Sequence, residues 1–306
     1  MTTAKMHADE LDIDEPLVRR LIASQFPQWA ALPVSAVASA GTDNAMYRLG
    51  EDMAVRLPRV PGSARQVDKE QRWLPRLGPH LPMAVPVPLG LGVPGAEFGL
   101  PWSVYGWLDG ANLYDEPLTE LAGAAVELGG FVAALRKVDA TGGPASYRGG
   151  PVATRDADVR EAIRALGADG TVDADLATGA WESVLRLPQW QGDPVWVHSD
   201  LLPGNILADR GRLSAVIDFG ALGVGDPAVD VMAAWTLFTA ETRGLFREAA
   251  EVDDDTWARG RGWALAFGLT ADHYYRIVNP VNPVLAGIGR RAVKEALHDI
   301  QGLPTA

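Results

Sequence analysis

The chain has 306 residues, a formal net charge of −12 and no cysteine, which excludes disulfides, thiolate metal sites and cysteine nucleophiles. Its acidic balance opposes a phosphate backbone, so no nucleic-acid partner is expected, and long-range steering of a cationic small molecule is as compatible with that charge as plain solubility is. The N-terminus carries no apolar leader and no window approaches ~18 uninterrupted apolar residues, so a cytoplasmic location and no membrane partner are expected.

The length exceeds that of a usual single core, and two lobes are expected. Asp12 to Phe26 has apolar residues on one helical side, with Asp14 as cap and Pro16 near the start. From Val34 to Leu57 the period shortens to two, with turns at Gly41–Asn44 and Gly50–Asp52, which predicts an antiparallel sheet. Ser63 to Leu77 returns to helical spacing through Val67, Glu70, Trp73, Leu74 and Leu77. Prolines and glycines between Pro79 and Pro101 forbid a long helix and suggest an irregular or edge-strand path, after which Trp102 to Leu108 reads as an apolar strand.

The second half reads mainly helical. Thr119 to Val138 is a helix whose Gly129-Gly130 suggests close packing; Gly142 to Gly150 is a loop; Asp156 to Leu166 and Asp175 to Leu187 are helical. Val231 to Phe238 and the aromatic-rich Thr256 to Val278 follow.

Most of the chemistry is concentrated in Val195 to Asp230. An apolar approach delivers His198-x-Asp200, with Asn205 five residues on, and the alternating strand Leu213 to Ile217 ends in Asp218-Phe219-Gly220. A ribbon turning at Asp209-Arg210-Gly211 is expected to converge Asn205 and Asp218, with Asp200 nearby. Phosphoryl transfer to a hydroxyl needs hard oxygen ligands for Mg²⁺ and a carboxylate that orients the incoming hydroxyl. Asn205 and Asp218 have the hardness for the first task, and Asp200 is a carboxylate without an evident metal role.

His198-Ser199-Asp200-Leu201-Leu202-Pro203-Gly204-Asn205 and Asp218-Phe219-Gly220 resemble the catalytic loop and metal-binding turn of protein kinases, and Gly225-Asp226-Pro227-Ala228-Val229-Asp230 narrows the resemblance to the aminoglycoside phosphotransferase family, which includes macrolide kinases. Ser199 stands where that family usually has Gly. The resemblance implies an α+β, two-lobed protein-kinase-like fold: an N-terminal lobe (1–104) with an antiparallel sheet and helices, a hinge (105–108) and a larger, mainly helical lobe (109–306). It implies an enzyme that moves the γ-phosphate of ATP, or of GTP, onto a hydroxyl of a small molecule, with an aminoglycoside-like antibiotic as the first expectation. Macrolides, amino alcohols and sugars are the alternatives, and a catalytically weak nucleotide-binding regulator is the reading from another class.

Residue by residue, the resemblance makes Asp200 the catalytic base and Asn205 and Asp218 the Mg²⁺ ligands. Arg56 falls where kinases carry the phosphate-contacting Lys, and its forked donors suit the same task. Glu70 is its expected partner, with Asp68 competing. Ser39, Gly41 and Thr42 lie in the turn expected over the triphosphate, although the same residues also suit an ordinary hairpin. Tyr105 and Trp107 are expected to bind the purine through their backbone. His198 is expected to brace the loop, Asp226 to cap a helix and Asp230 to hold the catalytic-loop backbone. Glu241, Asp272 and Asp253-Asp254-Asp255 are acidic candidates for a cationic acceptor. Nothing in the sequence fixes the oligomeric state.

Overall fold

A computed structural model describes residues 10–37 and 43–302, so the expected contacts of Ser39, Gly41 and Thr42 lie outside the described residues. The chain divides into two compact units: Met1–Gly110 with Ala215–Gly220, and Ala111–Ser214 with Ala221–Ala306.

The first unit opens with α1 (Glu15–Gln25). It starts later than the apolar spacing suggests because Asp14 is extended and its carboxylate accepts the Leu17 N–H at 2.8 Å, capping the helix. The strands β1 (Val34–Ala36), β2 (Asn44–Leu49) and β3 (Met53–Pro58) follow, then α2 (Ala64–Leu77), β4 (Pro88–Gly92) and β5 (Trp102–Gly106). They form one five-stranded sheet in the order β1-β2-β3-β5-β4, antiparallel at each pairing. The Pro/Gly-rich stretch thus supplies an edge strand, where a missing ladder donor is tolerated. Leu17, Val18, Leu21 and Ile22 of α1 pack with Leu49, Val55, Leu57, Trp102 and Val104 in the core of this unit.

The second unit contains β6 (Ala111–Asn112), α3 (Leu121–Lys137), α4 (Asp156–Ala168), α5 (Ala174–Leu185), β7 (Val195–Val197), β8 (Ile206–Asp209), β9 (Arg212–Val216), β10 (Gly223–Gly225), α6 (Ala228–Val231), α7 (Ala233–Thr236), α8 (Ala240–Ala249), α9 (Asp254–His273) and α10 (Pro283–Gln301). The last two residues of β9, Ala215 and Val216, belong to the first unit together with the four that follow them. The β8–β9 connection is the expected tight turn: Arg210 and Gly211 have φ +52° and +74°, the left-handed pair of a type I′ hairpin.

Helix packing is close where glycine allows it. A Cβ on Gly129 would meet the Phe246 carbonyl oxygen at 2.6 Å, whereas Gly130 faces open space, so only the first of the pair serves the contact between α3 and α8. A Cβ on Gly268 of α9 would lie 2.7 Å from Gly289 O, and one on Gly289 of α10 would lie 2.8 Å from Gly268 O. The helices α8 and α10 have no counterpart in the sequence reading, and of Val231 to Phe238 only Ala233–Thr236 forms a helical turn of its own, Val231 being the last residue of α6. Among the described residues no helix is long and apolar enough to cross a membrane.

Candidate functional site

In the first unit, the structure gathers Arg56 from β3, Glu70 from α2 and Asp218. Glu70 belongs to the buried stripe Val67, Glu70, Trp73, Leu74 and Leu77, and its side chain is 2% exposed. A carboxylate buried this deeply requires a paired donor. Arg56 supplies one: Nη1 donates to both Glu70 oxygens at 2.6 and 2.7 Å, and Nη2 donates to Asp218 Oδ1 at 2.6 Å. With its amide oxygen facing the guanidinium, Asn44 accepts from Nε at 3.1 Å and from Nη2 at 2.8 Å. Burial alone would lower the Arg56 pKa, but Glu70 and Asp218 outweigh it and hold it well above the usual value. The exposed Asp68 plays no part in this cluster.

The guanidinium is therefore engaged on every nitrogen by partners within the first unit. Tyr105 contributes through its side chain. Its buried phenol donates to Glu70 Oε2, and burial, followed by the Glu70 charge, raises its pKa. The purine contact expected of this segment meets a constraint, because the Gly106 N–H donates to Val87 O at 2.9 Å and the Trp107 N–H to Asp52 O at 2.7 Å. Strand pairing has consumed the donors that a hinge would offer at these two positions. The Trp107 ring instead carries the Arg48 guanidinium 3.8 Å from its centroid.

Asp218 has φ +60°, a left-handed conformation that costs a non-glycine residue about 1–2 kcal/mol. Its Oδ1 also accepts the Gly220 N–H at 3.3 Å. A Cβ at Gly220 would lie 2.6 Å from Gln66 Oε1, the far end of a side chain that would have to shift.

In the second unit, Asp200 and Asn205 come together on the loop after β7. Asn205 Nδ2 donates to the Asp200 carbonyl and to its Oδ2, both at 2.9 Å. Those bonds fix which way the amide faces and turn its oxygen off Asp200, as a hard ligand for a divalent cation should be presented; the Asp218 carboxylate, 39% exposed, is a second donor of the same class. The residues fit Mg²⁺ in chemistry. Asp200 Oδ1 is gripped by Nη1 of Arg148, which also donates to Ser199 O at 3.0 Å.

The loop is held from beneath by a buried carboxylate. Asp230 accepts the His198 N–H on Oδ2 and the Ser199 N–H on Oδ1, each at 2.7 Å. Burial raises its pKa to about 7, although both N–H bonds and Arg136 favour the charged form. His198 braces the turn as its Nδ1 accepts the Asp200 N–H at 3.3 Å. Ser199 has φ +70°, which explains why glycine suits this position; its hydroxyl pairs with that of Ser146. Pro227, not Asp226, is the N-cap of α6; Asp226, one residue earlier, accepts the Ala228 N–H at 2.9 Å and forms a buried ion pair with Arg259, Nε to Oδ2 2.8 Å.

Sequence reasoning passed over Arg148 and Ser146, both in the loop read as featureless between Gly142 and Gly150. That loop is tied to the site by backbone bonds: Val224 N to Pro144 O at 2.7 Å, Ser146 N to Val224 O at 3.0 Å and Asp226 N to Gly149 O at 2.8 Å. No periodicity or motif marks such a partner, which lies 52 residues before the carboxylate it grips.

Three of the five acidic candidates for a cationic acceptor, Asp253, Asp254 and Asp272, are bonded within the chain. Asp272, 1% exposed, pairs with Arg276 and Arg290. Asp253 caps α9 through the Thr256 N–H at 2.6 Å, and Asp254 pairs with Arg247. Glu241 and Asp255 lie in the first turns of α8 and α9, where the helix dipole favours them.

The model of the phosphotransferase enzyme family matches residues 35–263. A comparison with curated proteins found no match. Among solved structures, the GDP and kanamycin complex of APH(2")-IIia matches with 20% identity and TM-score 0.69 over 92% of this chain and 98% of that one. The GDP complex of wild-type aminoglycoside 2'-phosphotransferase-IIIa gives 18% and 0.70 over 94% and 100%. The apoenzyme of macrolide 2'-phosphotransferase MphH from Brachybacterium faecium gives 23% and 0.60 over 91% and 97%. These structures share the kinase-like fold with this chain.

Proposed function

The chain belongs to the phosphotransferase enzyme family and is a small-molecule kinase; from that premise we propose that it transfers the γ-phosphoryl group of ATP or GTP to a hydroxyl of a small molecule, with Asp200 as the base. The observation that carries this reading is the mounting of Asp200, whose backbone and carboxylate are both fixed by Asn205 Nδ2 while Arg148 holds the other carboxylate oxygen. A carboxylate held in one orientation lines up a hydroxyl at little further entropic cost.

The acceptor oxygen bonds to the γ-phosphorus, the bond from that phosphorus to the β–γ bridging oxygen breaks, and the hydroxyl proton passes to Asp200 as the nucleoside diphosphate leaves. Asn205 Oδ1 and the Asp218 carboxylate are the residues that would hold Mg²⁺, which supplies charge neutralisation on the phosphate oxygens. Arg56 steadies the α- and β-phosphates, with Glu70 and Tyr105 fixing its fork. Nucleotide complexes among the structural neighbours support a nucleoside triphosphate as donor. The kanamycin complex and the macrolide enzyme among the structural neighbours make an aminoglycoside-like compound the first acceptor to test, with a macrolide, an amino alcohol or a sugar as the alternatives.

Mass spectrometry of an acceptor library incubated with enzyme, nucleotide and Mg²⁺ tests the reading. A phosphorylated product that requires Asp200 is the expected result, and nucleotide binding with no product from any acceptor would favour the regulator instead.

A further inference from the structure

The loop 142–150 and the loop after β7 are both tied to the ribbon of β7 and β10: Gly223 pairs with Val197, and the Ser146 N–H donates to Val224 O at 3.0 Å. Two side chains then reach from the first loop to the second. Arg148 Nη1 donates to Ser199 O at 3.0 Å and to the Asp200 carboxylate, and the Ser146 hydroxyl meets that of Ser199 at 2.5 Å. The Ser146 hydroxyl oxygen also accepts the Arg148 N–H at 3.2 Å, so both links spring from one short stretch of backbone.

Ser199 is the unusual member of this set. Its side chain is buried and its backbone is left-handed, a conformation that glycine adopts without strain. Such strain persists only where the surroundings hold it, and a buried hydroxyl requires a partner. Ser199 is held at each of its polar atoms: the N–H by Asp230 Oδ1 at 2.7 Å, the carbonyl by Arg148 and the hydroxyl by Ser146. Glycine would relieve the backbone but remove the group that joins the two loops. Arg148 then has another seat, because the exposed ring of Tyr147 lies 5.9 Å from its guanidinium.

We propose that Ser146 and Ser199 are positioning residues: their hydroxyl pair fixes the separation of the two loops at which one nitrogen of Arg148 reaches both the Ser199 carbonyl and Asp200. This rests on the phosphotransferase reading only in giving Asp200 the role of base.

Arginine-selective ¹⁵N NMR of the full-length enzyme reads the Arg148 guanidinium directly and needs neither nucleotide nor acceptor; loss of a signal in Arg148→Lys assigns it. Exchange of the Arg148 Nη protons with water is expected to quicken roughly 3- to 10-fold in Ser146→Ala, in Ser199→Gly and in Ser199→Ala, the scale of one lost hydrogen bond. The Ser146→Ala/Ser199→Gly double variant should go no further than either single change, since both remove the same contact. Thermal midpoints should separate what exchange does not: Ser199→Ala keeps the left-handed strain without the bond and should melt below Ser199→Gly. Should Ser199→Ala fail to fold, Ser199→Gly and Ser146→Ala give the same readout. Wild-type exchange in either of these folded variants, or quickening in Ser199→Ala but not in Ser199→Gly, overturns the proposal. ADP release from Mg²⁺–ATP with kanamycin as the probe acceptor completes the test. A lower kcat with an unchanged KM for ATP in the variants supports positioning, whereas a freed Arg148 with undiminished kcat overturns it. A wild-type enzyme that phosphorylates no acceptor counts against phosphotransfer and leaves the Arg148 spectra to decide the hydroxyl pair.

Discussion

Arg148 donates from one guanidinium nitrogen to both the carboxylate of Asp200 and the carbonyl of Ser199. The pair sets the orientation of the proposed base from outside its own loop. Arg148→Met is expected to lower kcat about 10–100-fold with nucleotide affinity retained, since misplacing a reacting group by an ångström costs on that scale. ADP release against acceptor concentration, alongside nucleotide titration, checks it; wild-type kcat would remove Arg148 from the site.

Asp200 itself carries the larger effect. Asp200→Ala should reduce kcat by roughly 10²–10⁴-fold while nucleotide still binds, the usual span for losing a general base. Asp218→Ala should abolish Mg²⁺-dependent turnover. Near-normal turnover by either variant contradicts the roles assigned.

Glu70 and Asp68 lie two residues apart on α2 and should behave oppositely. Removing the buried partner with Glu70→Ala leaves Arg56 short of its charge complement and should cost about 3–5 kcal/mol. Asp68→Ala, on the exposed side, should stay within about 0.5 kcal/mol. Denaturant midpoints decide this, and similar losses at both sites would mean the pair contributes little.

The buried carboxyl of Asp230 gives a pH signature. Its folded value of about 7 lies above the ordinary 3.8, so the native state binds the proton more tightly than the unfolded chain does between those values. Its contribution to stability is complete below the lower value and is lost as pH rises through the upper one. The carboxyl carbon shift of Asp230 should titrate near pH 7, and wild-type stability should contain a component that declines from pH 4 to 7. A midpoint near 4 would show the two backbone N–H bonds winning over burial.

Gly129 and Gly130 make a matched pair on α3. Gly129→Ala forces a methyl against the Phe246 carbonyl and should destabilise by about 1–3 kcal/mol. Gly130→Ala meets nothing and should stabilise by roughly 0.5–1 kcal/mol through lost unfolded-state freedom. Thermal melting of the two variants should move in opposite directions.

The sequence disclosed what local pattern determines. Helical spacing put Glu70 on the buried face of α2, and turn chemistry found the Arg210-Gly211 hairpin. Motif spacing named Asp200, Asn205 and Asp218 together. Long-range partners stayed hidden: Arg148 reaches Asp200 from an irregular loop, and Asn44 reaches Arg56 across a strand pair, neither with a periodic signal. The helices α8 and α10 went unread because Gly244, Gly287 and Gly289 interrupt sparse apolar spacing. Nor does strand composition show that the Gly106 and Trp107 N–H groups donate to Val87 and Asp52.

The six-residue excursion Ala215–Gly220 has a practical consequence for anyone dissecting the gene. A fragment ending at Gly110 would code for the sheet and for Arg56 while omitting Asp218, the second acid on that guanidinium. The unit that carries Arg56 and Glu70 is therefore discontinuous along the chain, and a split-protein or domain-transplant experiment has to graft that hexapeptide back to recover it.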